Sequence, residues 1–149
     1  MAILNMRYEG DEILRKKCKE VKAVDDRIRE ILEDMAETLY NTPNGAAVAA
    51  NQLGILKRLV VIDMGEGLIK LVNPVVVQAD GEQEVVEGCL SFPDKVGKLM
   101  RPKSVVVKAF NEKGEALTIT GTDDMAKCLC HEIDHLDGIC FTDKVVEWL

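Results

Sequence analysis

The stretch Thr122-Asp123-Asp124-Met125-Ala126-Lys127-Cys128-Leu129-Cys130-His131-Glu132-Ile133-Asp134-His135-Leu136-Asp137-Gly138 decides how this chain is read. Thr122 followed by two aspartates has the form of a helix N-cap with acidic residues in the first turn, and Gly138 stands where a helix C-cap stands. The spacing therefore predicts a helix over 122–137. Within it, His131-Glu132-Ile133-Asp134-His135 has the pattern H-E-x-x-H. Residues four apart lie one turn apart on one helix face, so the two imidazoles can point at a single ion. Glu132, one position round from His131, can reach a water held there without being a ligand, which suits a general base that later acts as a general acid. These are the only two histidines in the chain.

Two histidines bind metal weakly, and catalytic sites commonly use three protein ligands and leave one position for water. No third histidine exists, so a thiolate or carboxylate must serve. Cys128 shares the helix face but stands about 10.5 Å along the axis from His135 at 1.5 Å per residue, too far for one tight tetrahedron. Cys130 points away from the histidine face. Cys18 and Cys140 read as small buried hydrophobes. Cys89, in Glu87-Gly88-Cys89-Leu90-Ser91, follows a predicted strand directly and stands beside a glycine that lets the backbone approach a ligand. It is the best remaining candidate.

Upstream, Ile28, Ile31, Leu32, Met35 and Leu39 recur at helical spacing from a cap near Asp25 or Asp26, and Asn41-Thr42-Pro43 ends the run. Residues 1–24 show no clean period beyond a short helical turn in Asp11–Cys18. Between the two helices lie β-branched runs, KRLVVID, IKLVNPVVV, EVVEG and KSVVVKAF, separated by glycine-containing turns. Without repeats or linkers, these elements are expected to form one domain over 1–149. The expected class is α+β, with small antiparallel sheets packed around a central metal-binding helix and an N-terminal amphipathic helix.

The 149 residues, 47% hydrophobic and 30% charged, are enough to close a core without disulfides or a structural metal. Nineteen basic against 26 acidic side chains give a net charge of −7, which disfavours nucleic-acid phosphates and anionic lipid, and no basic patch is evident along the chain. No apolar run approaches the roughly 18 residues of a membrane span, and the N-terminus has no secretory or transit pattern. Five irregularly spaced cysteines fit a reducing cytoplasm.

Three segments in this order, Gly45-Ala46-Ala47-Val48-Ala49-Ala50-Asn51-Gln52, Glu87-Gly88-Cys89-Leu90-Ser91 and His131-Glu132-Ile133-Asp134-His135, resemble the signature motifs of peptide deformylases. The likeness extends to Leu71–Pro74 and to His135–Gly138. It implies removal of the formyl group from nascent polypeptides that begin with formyl-methionine, releasing formate in the cytoplasm. It also implies one divalent metal, natively Fe2+ with Zn2+, Ni2+ or Co2+ able to substitute, held by Cys89, His131 and His135. Glu132 would move the proton from the attacking water to the departing amine. The Gln52 side-chain amide and the Leu90 backbone N–H would bind the formyl oxygen as it becomes an oxyanion, one such donor being worth roughly 3–4 kcal/mol. Gly45, Ala46, Ala47, Val48, Gly88 and Cys128 would line the substrate, whose backbone lies strand-fashion along the first motif. The implied partners are N-formylmethionyl nascent chains, with transient ribosome contact not made through a long C-terminal helix.

Four positions depart from the family's usual pattern. Ala47 replaces a glycine, and its methyl is expected to crowd the substrate backbone. Asn51 replaces a proline and is expected to loosen the turn that aims Gln52. Cys130 replaces a glutamine before the first histidine, and Asp124 stands where the methionine pocket would be apolar. Two other readings are a zinc peptidase built on H-E-x-x-H alone, disfavoured by a cysteine third ligand, and a non-catalytic module that binds peptide N-termini.

Overall fold

The computed structural model describes residues 2–149. Helix α1, Asp26–Tyr40, begins where Asp25 accepts the Ile28 N–H at 2.9 Å, and its apolar face, Ile28, Ile31, Leu32, Met35 and Leu39, is buried. A five-stranded antiparallel sheet follows in the order β1-β2-β3-β6-β7, made of Ala47–Ala49, Leu59–Ile62, Ile69–Asp80, Ser104–Phe110 and Ala116–Thr122. Helix α2, Asp124–Leu136, covers the opposite face from α1. Strand β2 explains the arrangement: Leu59 and Val61 pack with α1 while Val60 and Ile62 pack with α2, so both faces of the run LVVI are buried.

A second antiparallel sheet has the order β4-β5-β8, made of Gln83–Cys89, Phe92–Arg101 and Glu147–Trp148. It closes over a separate cluster of Leu14, Val85, Phe92, Leu99, Cys140 and Phe141. Strands β1 and β4 each stand at the edge of their sheet, and α2 touches both sheets. The α+β class and both helices are as expected. None of the described helices is long and apolar enough to cross a membrane.

Thr122 is not the cap of α2. It ends β7, opposite Ser104, and the helix starts after Asp123, whose φ of 53° turns the chain sharply out of the sheet. The Asp123 side chain pairs with Lys103 at 2.6 Å instead of capping. Strands β1, β5, β7 and β8 carry no periodic signature in the sequence, for physical reasons. β1 is three small residues buried on both sides, β5 carries Pro93 and Gly97, β7 mixes threonine with glycine, and β8 is two residues long. Strand β3 runs on past Pro74 because the chain bulges between Val72 and Val75, where Asn73 adopts a φ of 53° and exchanges two 2.8 Å hydrogen bonds with the Val21 backbone.

Candidate metal centre

His131 and His135 project from one face of α2, with their Nε2 atoms 3.2 Å apart. Cys89, the last residue of β4, brings its Sγ to 3.3 Å from His135 Nε2. The three donor atoms lie within 4.8 Å of one another. His135 is fully buried, His131 nearly so, and Cys89 partly open to a cleft of about 560 Å³. Metal–nitrogen bonds of about 2.0–2.1 Å in a tetrahedron require nitrogen separations of roughly 3.3–3.5 Å, so the 3.2 Å between the two imidazole nitrogens is close to what a small divalent cation needs.

Glu87 holds His131 from behind. Its carboxylate lies 2.6 Å from His131 Nδ1 and is gripped on the other side by Arg101 through contacts of 2.7 and 3.0 Å. Arg101 extends the chain to Asp134 at 2.6 Å, and Lys144 reaches Asp134 at 3.0 Å. Burial pushes the Glu87 carboxyl up, but the His131 and Arg101 hydrogen bonds outweigh it and bring it down to about 2. An ionised Glu87 directs the Nδ1–H of His131 toward itself, so that when the ring gives up its second proton it is Nε2 that offers a lone pair to the donor cluster. Burial alone would depress His131, yet hydrogen bonds to Cys89 and Glu87 raise it to about 10, the mark of a site that favours positive charge. His135 is held well below the ordinary histidine value, by burial first and by His131 second, so it is neutral. The ring of Phe141 stacks on His131, with centroids 6.0 Å apart.

Glu132 is buried, and its Oε1 has no hydrogen-bond partner among the described residues. It borders the same cleft as Cys89 and His131, and burial raises it to about 7. Gln52 sits in a one-turn 3₁₀ segment, Ala50–Leu53, directly after β1. Its Oε1 accepts the Ala49 N–H at 2.9 Å, and its Nε2 donates to Ser91 Oγ at 3.1 Å and reaches Cys89 Sγ at 3.5 Å. The amide is thereby oriented with its N–H groups toward the donor cluster.

Ala46, Ala47, Gly88, Leu90 and Cys128 all border the cleft. Gly45 and Val48 do not. A Cβ on Gly45 would meet Leu39 Cδ1 at 3.0 Å and the carbonyls of Leu39 and Thr42 at 3.1 Å, so this glycine serves packing behind the cleft. The Val48 side chain is buried with α1. Ala47 borders the cleft and also belongs to the core cluster that holds Ala126, Leu129 and Ile133 of α2. Asn51 does not loosen its turn: it is fully buried and donates from Nδ2 to the His135 carbonyl. Cys130 lies in the core away from the donors, and Cys128 is outside the donor cluster. Asp124 borders the cleft as expected, together with Lys127.

Sequence reasoning gave no role to Glu87, Arg101 or Ser91. A histidine that ligates metal almost always donates its other N–H to a carboxylate or carbonyl, and Glu87, two residues before the candidate thiolate, was the signal available.

The family model for polypeptide deformylase matches residues 3–148. The chain belongs to the polypeptide deformylase family. It is 63% identical to peptide deformylase 2 of Clostridium acetobutylicum, over all of this chain and 99% of that one. Peptide deformylase from Thermotoga maritima superposes with a TM-score of 0.93 at 34% identity, covering 97% of this chain and 99% of the other. A class I type b peptide deformylase from Acinetobacter baumannii, solved with Met-Ala-Ser bound, superposes with a TM-score of 0.89 at 27% identity, covering 97% and 99%. Like other deformylases, the chain is a metal-dependent hydrolase that removes the formyl group from nascent peptides.

Proposed function

We propose that Cys89, His131 and His135 hold the catalytic metal, that Glu132 is the acid and base, and that Gln52 and the Leu90 N–H stabilise the oxyanion. The observation that carries this reading is convergence: three donor atoms within 4.8 Å, the unpartnered Glu132 Oε1 and the oriented Gln52 amide all open on one cleft. A divalent ion bound to the cluster supplies Lewis acidity and makes water a usable nucleophile near neutral pH. Fe2+ is the proposed native ion and Zn2+, Ni2+ or Co2+ the substitutes, since one thiolate and two imidazoles suit each of them.

The edges of β1 and β4 flank the cleft, so a formylated peptide lies between them as an added strand and presents its formyl carbon to the donor cluster. Glu132 accepts a proton from the attacking water and passes it to the departing amine, a transfer that suits a carboxyl raised to about 7. As charge gathers on the formyl oxygen, Gln52 Nε2 and the Leu90 N–H donate to it. Ala46, Ala47, Gly88 and Cys128 border the peptide with their side chains or backbone, while Gly45 and Val48 act from behind.

Residues 1–149 act as one catalytic domain, a reading supported by α2 touching both sheets. The substrates are N-formylmethionyl chains met in the cytoplasm as they leave the ribosome. The Met-Ala-Ser complex of the Acinetobacter relative supports a peptide N-terminus as occupant. Chelator-stripped protein titrated with Fe2+ under anaerobic conditions should regain formate release from a formyl-Met peptide, with a break at one ion per chain. Recovery without a stoichiometric break would count against a single three-ligand site.

A further inference from the structure

We infer that Asn51 is a positioning residue: by hydrogen-bonding the main chain of His135 it sets where the Gln52 amide stands relative to the metal-binding helix. The inference rests on the role of Gln52 proposed above. Asn51 is fully buried, and its Nδ2 donates at 2.5 Å to the carbonyl of His135, 84 residues on in sequence. Only the amine side of the amide can face a carbonyl, so the orientation is fixed by chemistry. Its Oδ1 is buried with no partner among the described residues. Leaving an amide oxygen unpaired in the core carries a desolvation cost, and the Nδ2 contact to the helix is what the side chain gains in return.

The position of that contact gives it meaning. Gln52 follows Asn51 in the same 3₁₀ turn, and His135 is one of the three donors to the cluster. The other restraints on the Gln52 side chain come from Ala49 on its own segment, from Cys89 at the end of β4 and from Ser91 in the turn beyond it. Among the described residues, the Asn51 bond is thus the side-chain hydrogen bond that ties the turn carrying Gln52 directly to helix α2. A proline at this position would shape the turn but offer no such donor. Loss of the tie frees the turn to shift by a fraction of an ångström against the histidines. A donor that acts only as charge develops is sensitive to such a shift.

The test is a double-mutant cycle read against metal content. In Zn2+-loaded protein, Asn51→Ala should lower kcat for a formyl-Met peptide roughly 10-fold, with KM within about twofold and one zinc retained per chain. In the Gln52→Ala background the same substitution should change kcat by less than about twofold, because the group it positions is gone. The side-chain NH2 resonances of Gln52 should shift or broaden in Asn51→Ala, a readout independent of turnover. If Asn51→Ala fails to fold, Asn51→Ser, one bond too short to reach the carbonyl, makes the same comparison. Full multiplicative losses, an unmoved Gln52 resonance, or a loss explained wholly by missing zinc would each overturn the inference. If Gln52→Ala alone leaves kcat unchanged, the oxyanion role falls and the inference with it. If Gln52→Ala is impaired and Asn51→Ala is not, only the inference falls.

Discussion

His131 Nδ1 lies 2.6 Å from the Glu87 carboxylate, so the first histidine of the H-E-x-x-H pattern is held by a buried anion on the neighbouring sheet. Arg101, itself 3% exposed, neutralises that anion. Two consequences follow, one for the metal and one for the fold. Glu87→Gln should weaken metal affinity by roughly 10- to 100-fold, measured by chelator competition, since the His131 ring loses its ionic anchor. It should also lower the Tm, because Arg101 loses one of its two carboxylate partners in the core and keeps only Asp134.

The sign of the Glu87 shift sets a pH window for that loss. Its folded value of about 2 lies below the ordinary 4.5, so its contribution to stability is complete above pH 4.5 and disappears as the pH falls toward 2. The gap in Tm between the native chain and Glu87→Gln should therefore narrow steadily from about pH 5 downward. A gap that stayed constant across this range would show that Glu87 is not ionised by its partners.

Metal binding should release protons. His131 is raised to about 10 and is protonated at neutral pH in chelator-stripped protein, whereas a ligating imidazole must be neutral. Calorimetric titration with Zn2+ at pH 7.5, in buffers of different ionisation enthalpy, should detect release of about one proton or more per ion. Binding enthalpy independent of the buffer would contradict the assignment of His131.

Glu132 sets the acidic limb of activity. Burial raises its carboxyl to about 7 against the lowering influence of His131 and Arg101, and a divalent ion on the adjacent donors would draw it down from there. As the reaction needs the carboxylate to accept a proton, kcat/KM should fall on acidification with a midpoint between about 4.5 and 7. A midpoint above 7 would exclude Glu132 as the group responsible.

Ala47→Gly tests whether the methyl faces the core or the substrate. Because Ala47 is 7% exposed and shares the core cluster of Ala126 and Leu129, glycine should cost about 1–2 kcal/mol of stability and leave KM within about twofold. A several-fold drop in KM with stability unchanged would restore the crowding expected from the sequence.

Both helices and the two histidine donors were legible in the sequence because each is written in local spacing. Five apolar residues at helical period mark α1, and two histidines four apart mark α2. Cys89 could be reached only by elimination and resemblance, since its approach to His135 depends on how β4 is laid over α2. Strands β1 and β5 were not legible, because a short run of small residues and a run broken by Pro93 and Gly97 owe their form to neighbours. Long-range side-chain partnerships were equally hidden. The contact of Asn51 with His135 spans 84 residues, that of His131 with Glu87 spans 44, and neither leaves a periodic trace.

The proton-carrying role of Glu132 is tested most directly by formate release from a formyl-Met-Ala-Ser peptide, comparing the native chain with Glu132→Ala at equal, measured metal occupancy. Both proteins should bind one divalent ion per chain, and the variant should turn over roughly 10²- to 10⁴-fold more slowly. Comparable formate release by metal-loaded Glu132→Ala would contradict the central claim that this buried carboxylate carries the proton.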